Sequence, residues 1–324
     1  MAQPIIVAVM RRLAPWGTRF LLAALLSLGE VLPLDAFDPS VPPAGRSAVL
    51  VSWDGVGRDR LRELLGAGRL PGMATLVRTG ALVDITVRDH RTDTKAGHSE
   101  MLTGYGPDVT GVRSNIRFRP IPAGLSVFEA LQRRFGADRI ATIMVTAKAG
   151  NLGSAGPGIL RRGQPWHLVR PSLTVWDGDV RRDDDVVGSL ALACLRRFAG
   201  GRFMAFFHFG GADRAAHREG DRSQRHAEAI VACDRWLAAM AAELRALAID
   251  RTTMVFVTAD HGFDPGRRRH RDAPQVFLAT DDPSLVRGGD QRDIAPTLFA
   301  ELGADPGAAR PPLPGRPLTS IGSP

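Results

Sequence analysis

Short, almost unbroken apolar runs recur along the chain: SAVLVSW (47–53), ALVDITV (81–87), RIATIMV (139–145), FMAFFHF (203–209), TTMVFVT (252–258) and QVFLAT (275–280). Runs of this length without polar alternation suit strands buried on both faces. Between them apolar positions fall at helical spacing, most clearly in DDVVGSLALACLRRF (184–198) and SQRHAEAIVACDRWLAAMAAELRAL (223–247). Strands alternating with helices predict an α/β fold with a mostly parallel central sheet and helices on both faces. Ligands of such sheets gather beyond the carboxyl ends of the strands. No internal repeat or second globular boundary is evident, so residues 46–320 read as one domain. Residues 146–184, rich in Gly, Pro and Arg, read as a small irregular cap over the ligand-binding edge.

The polar residues that end these runs are of one chemical kind. The first run ends in Asp54, the second leads into Asp93 and Thr94, the fourth into GGADRAAH with Asp213 and His217, and the fifth into ADHG with Asp260 and His261; His270 precedes the last run. Each alone has a common structural explanation, since Asp caps helices and His fills polar gaps. Together, Asp54, Thr94, Asp213, His217, Asp260, His261 and His270 would converge on one sheet edge. So many buried carboxylates call for cations. Imidazole nitrogen with carboxylate oxygen, and no thiolate, suits zinc, other divalent ions remaining possible. Asp213 and His217 lie four residues apart, on one face of a helical turn, and can chelate together. Asp260 and His261, adjacent in sequence, could both ligate only where the chain turns, which Gly262 permits. Thr94 opens a helix in RTDTKAGHSEMLTGYG. It is either a simple cap or a hydroxyl placed over the positive end of a helix dipole to attack an anion.

Charge adds less than its size suggests. The formal net charge of +8 comes from 42 basic residues against 34 acidic ones, and of the 42 only Lys95 and Lys148 are lysines. An arginine excess without an RNA-binding aromatic motif, zinc finger or basic repeat gives no reason to expect a nucleic-acid partner. The GRRRHR stretch at 266–271 reads as a solvated loop. Cys194 and Cys233, in helical segments with apolar neighbours, read as core thiols. At the N-terminus, Arg11, Arg12 and Arg19 precede FLLAALLSLG (20–29), too short to span a bilayer but suited to an export signal within residues 1–36. The expectation is an exported protein, periplasmic or secreted, with weak membrane association through residues 20–34 possible and cytoplasmic residence the alternative.

The motifs VSWDGV, TKAGHSEMLTG, TGVRSN, ADRAAH, TADHGF, HRDAP and DIAPTLFAELG occur in an order that resembles the alkaline phosphatase superfamily, and within it the nucleotide pyrophosphatase/phosphodiesterase-like branch. The resemblance spans residues 47–317. It implies that Asp213, His217 and His270 hold one zinc, that Asp54, Asp260 and His261 hold a second, and that Thr94, coordinated to the second, is the nucleophile of a phosphodiesterase or pyrophosphatase acting on a small anionic phosphoester. Asn115 would donate to a non-bridging phosphate oxygen. Lys148 resembles the first Lys of a paired basic motif in some phosphomonoesterases and phosphonoacetate hydrolases, but Gly150 stands where the second basic residue would be. Those activities, or a catalytically silent anion-binding role, are the alternatives. TKAGH lacks the Cys or Ser pattern that sulfatases convert to formylglycine, and the stretch 146–184 is too short for the inserted domain of the cofactor-independent mutases.

Overall fold

The structure, a computed structural model, describes residues 45–152, 173–178 and 181–320. The export-signal reading, the membrane contact at 20–34 and most of the cap segment lie outside them. No helix among the described residues is long and apolar enough to cross a membrane.

Every predicted apolar run forms a strand: β1 (Ser47–Trp53), β2 (Ala81–Thr86), β3 (Ala141–Thr146), β5 (Phe203–Phe209), β6 (Thr253–Thr258) and β7 (Gln275–Thr280). Two short strands join them, β4 (Val175–Gly178) and β8 (Gly289–Asp290). Across the described residues the sheet order is β4-β3-β5-β1-β6-β7-β2-β8. All neighbours are parallel except β7, which is antiparallel to both β6 and β2. Within the stretch 146–184, β4 is regular: it extends the sheet beside β3. The pattern gave no warning because a four-residue edge strand is too short to show a period.

β1, β3, β5 and β6 are buried at every position, as strands covered on both faces must be. Besides α1 (Arg58–Gly66), α4 (Pro107–Thr110) and α6 (Ala149–Leu152), one group of helices comprises α2 (Pro71–Thr79), α7 (Asp184–Phe198), α8 (Gly211–Glu219) and α9 (Gln224–Ala246), with α9 packed on the other three. The second comprises α3 (Thr94–Thr103), α5 (Val127–Phe135) and α10 (Ile294–Glu301), with α10 packed on the other two. The start of α9 follows from its sequence, since the Ser223 hydroxyl accepts from the His226 amide. α5 opens with a full capping box between Ser126 and Glu129. Trp53, Phe206, Phe207, Phe256 and Phe277 fill the core, and both cysteines are buried and unpaired there, as expected.

Candidate active site

The parallel register brings distant residues to one edge. Ser52 of β1 stands opposite both His208 of β5 and Thr258 of β6, and His208 opposite Thr146 of β3. Asp54 and Asp260 each follow that polar row by two residues, so equal register makes them neighbours. The Asp260 carboxylate accepts from the Gly55 amide at 3.1 Å. Gly55 has φ of 77°, and a Cβ there would lie 2.7 Å from the Phe263 ring and 3.0 Å from the Asp213 Cβ. That close turn brings Asp213, in the first turn of α8, against Asp54. His261 and His270 share the edge because β7 runs antiparallel to β6, so the 259–274 connection starts and finishes there.

α3 places Thr94 over this group. Asp93 is its N-cap residue but makes no side-chain cap; its carboxylate accepts from the Asn115 amide at 3.0 Å instead. Thr94, 2% exposed, likewise does no capping, and its Oγ1 lies 3.5 Å from His261 Nε2. The helix comes so close because residue 97 is glycine: a Cβ there would be 2.5 Å from the Asp260 carbonyl oxygen.

Two ligand groups result, Asp54 with Asp260 and His261, and Asp213 with His261 and His270. His217 Nε2 stands 3.3 Å from Asp213 Oδ1 and 3.1 Å from His270 Nε2, so the expected Asp213, His217 and His270 set is also together, with His261 lying between the two groups. The donors are prepared for metal. His217, His261 and His270 each donate Nδ1–H to a main-chain carbonyl, of Arg268 (2.9 Å), Gly262 (2.9 Å) and Thr92 (2.5 Å). This leaves each Nε2 lone pair for a ligand bond. Asp54 Oδ1, Asp213 Oδ1 and Asp260 Oδ2 are buried and accept no hydrogen bond. Acceptor oxygens facing imidazole lone pairs are unfavourable without a cation, so these residues fit divalent ions.

The site electrostatics follow the same crowding. Burial, with the Asp54 carboxylate beside it, pushes the Asp260 carboxyl up to about 7. Against the cost of burial, the Lys148 ammonium holds Asp54 and Asp213 below the usual carboxylate range. Lys148 Nζ lies 2.8 Å from Asp54 Oδ2 and 2.5 Å from Asp213 Oδ2, one carboxylate from each group. Burial and the neighbouring His261 push His270 down to about 4.

Asn115 sits at the N-terminus of α3, where its Oδ1 accepts from the Lys95 amide at 3.0 Å. Lys95, open to either a solvent or a substrate role from the sequence, is buried here: its ammonium donates to the Asn115 carbonyl at 2.9 Å. The GRRRHR loop is exposed at its arginines, yet its Arg268 carbonyl orients His217, and His270 and Thr92 bond each other's carbonyls.

Two fully buried histidines were not anticipated. His208 Nε2 reaches Asp54 Oδ2 at 2.8 Å while its Nδ1 meets Thr146 Oγ1 at 2.9 Å. His98 donates Nδ1–H to the Thr94 carbonyl (2.8 Å) and its Nε2 accepts from Ser52 Oγ (2.9 Å). They pack edge to face, 4.9 Å apart, beneath the carboxylates. A sequence signal existed for each: His208 interrupts an otherwise apolar strand, and His98 follows Thr94 by one helical turn.

Comparison with solved structures finds the same fold at low identity. Ps i-CgsB is 12% identical with a TM-score of 0.57, over 84% of this chain and 75% of that one. BT33494S-sulf, described with glycosaminoglycan metabolism in Bacteroides thetaiotaomicron, is 11% identical with a TM-score of 0.58 over the same shares, 84% and 75%. The lipoteichoic acid synthase LtaP from Listeria monocytogenes is 15% identical with a TM-score of 0.55, over 88% of this chain and 78% of that one. Comparison with curated proteins returns no match. The model of the type I phosphodiesterase / nucleotide pyrophosphatase family matches residues 48–305, which contain every residue of the edge cluster. The chain thus belongs to that family, and is a hydrolase of the alkaline phosphatase superfamily.

Proposed function

We propose that the protein is a two-metal phosphoric ester hydrolase of the phosphodiesterase or pyrophosphatase type, working through a covalent phospho-threonine on Thr94. The observation that carries this reading is the buried Thr94 hydroxyl at the first turn of α3, 3.5 Å from His261 Nε2 and over the carboxylate and imidazole cluster. Asp54, Asp260 and His261 would hold one ion, and Asp213, His217 and His270 the other. Zinc suits this thiolate-free donor set, and when bound the ions would supply Lewis acidity and neutralise charge on a phosphoryl group.

The chain's own residues do the rest. Thr94 Oγ attacks phosphorus as the ester oxygen departs, the proton lost from Thr94 ending on that oxygen; water then cleaves the phosphorus–Oγ bond, its oxygen staying on phosphorus and one hydrogen restoring the hydroxyl. The amino end of α3 favours the anion beside it. Asn115 Oδ1 is committed to the Lys95 amide, so Nδ2 is the atom free to donate to a non-bridging oxygen. His208 and His98 hold Asp54 and the Thr94 main chain from below. The substrate class is a small anionic phosphoester.

The test compares hydrolysis of an aryl phosphate diester, a monoester and a sulfate by the purified, metal-loaded protein and by Thr94→Ala. The expected result is diester preference and a loss of at least about 10³-fold in Thr94→Ala at unchanged metal content. A variant that keeps a tenth of the rate rules out Thr94 as nucleophile. Faster turnover of the sulfate shifts the assignment to sulfuric esters, and of the monoester to a phosphomonoesterase.

A further inference from the structure

Asn115 is held at three of its polar atoms by the two residues that flank Thr94. Its amide N–H donates to Asp93 Oδ2 at 3.0 Å, its side-chain oxygen accepts from the Lys95 amide at 3.0 Å, and its carbonyl accepts from Lys95 Nζ at 2.9 Å. The same ammonium lies 4.1 Å from the centre of the Phe118 ring. Asn115 Nδ2 has no partner among the described residues.

The segment carrying Asn115 closes mainly on itself. Arg113 N–H donates to the Arg117 carbonyl (2.8 Å), and Ser114 Oγ accepts from the amides of Ile116 (3.3 Å) and Arg117 (2.9 Å). Its tip, Ile116, is 85% exposed. Ser114 is buried and Phe118 packs against the core, so it is the tip between them that has little packing to fix its position. The Lys95 side chain, only 7% exposed, crosses beneath it and forms no ion pair among the described residues. A solvated phosphate-binding lysine would keep its ammonium in water; this one gives a hydrogen bond to the Asn115 carbonyl and lies over the Phe118 ring.

Resting on the reading that Asn115 donates to the phosphoryl group, we infer that Lys95 is a positioning residue: it clamps the 113–118 loop so that Asn115 Nδ2 is presented beside Thr94, and does not itself touch substrate. The Asn amide orientation follows from the same contact, because only its oxygen can accept the Lys95 amide hydrogen.

A double-mutant cycle tests this, with diester kinetics, thermal melting and metal content measured for wild type, Lys95→Met, Asn115→Ala and the double variant. Asn115→Ala should lower kcat about 10²-fold. Lys95→Met should lower it about tenfold through misplacement of the same donor. The double variant should be no slower than Asn115→Ala alone, because a clamp with nothing to present has no effect. Lys95→Arg should recover most of the rate, since a guanidinium can meet the same carbonyl and lie on the same ring. Phe118→Leu, which leaves α3 untouched, should lower kcat a few-fold and lose that effect in the Asn115→Ala background. Losses that multiply in the double variant would show Lys95 acting on substrate and overturn the inference. So would full activity of Asn115→Ala, even with Thr94→Ala inactive; an active Thr94→Ala strikes instead at the proposed function.

Discussion

Gly97→Ala sets two opposed effects against each other. In a helix interior alanine is favoured over glycine by about 1 kcal/mol. At this position, however, the added carbon would lie 2.5 Å from the Asp260 carbonyl oxygen and 3.0 Å from the Asp260 Cβ. The first distance is about 1 Å inside van der Waals separation. Backbone on one side and a ligand-bearing strand end on the other leave no flexible side chain to yield, and overpacking of this kind costs about 1–3 kcal/mol. Sterics should win, with a net loss of about 0–2 kcal/mol and relief by a shift of α3 away from β6. A displacement of about 1 Å between Thr94 and the Asp260–His261 pair can cost 10²-fold in rate. Steady-state hydrolysis of an aryl phosphate diester, with a melting curve and metal content on the same sample, measures both. Activity within a factor of about two of wild type, together with a higher melting temperature, would show propensity prevailing over contact. It would refute the claim that the α3–β6 approach places Thr94.

Exhaustive chelation should abolish hydrolysis and lower the melting temperature, with both restored by zinc. Buried Asp54, Asp213 and Asp260 otherwise share too few cations, and a ligand at about 100 times its Kd stabilises by about 2.7 kcal/mol; activity that survives chelation would exclude the metal reading. His226 is buried, which pushes its pKa below the ordinary histidine value. A depressed histidine contributes stability fully above about pH 6.5 and loses it as pH falls towards the folded-state value. The melting temperature of wild type should therefore fall more steeply than that of His226→Gln between about pH 7.5 and 5.5, and parallel curves would disprove the assignment.

Much of this is legible in the sequence. The apolar runs marked six of the strands, because a strand covered on both faces has no polar positions to interrupt it. Asp54, Asp213 and Asp260 stood out because strand ends are where a parallel sheet exposes its chemistry. His98 and His208 went unread because their partners, Ser52, Thr146 and Asp54, are remote in sequence and meet them only through the sheet register and the seating of α3. Lys95 was ambiguous for the same reason: its role depends on a loop about twenty residues away.

His270 marks the division most clearly. It precedes the last long strand, and in a wholly parallel sheet the residue before a strand lies at the edge opposite the site. The sequence alone determined its chemistry, an imidazole among arginines, and the strand that follows it. That β7 runs antiparallel to β6, returning His270 to the carboxylates of the other strand ends, was decided by tertiary structure. Strand direction depends on which neighbours supply hydrogen bonds, and an apolar run carries no mark of that choice.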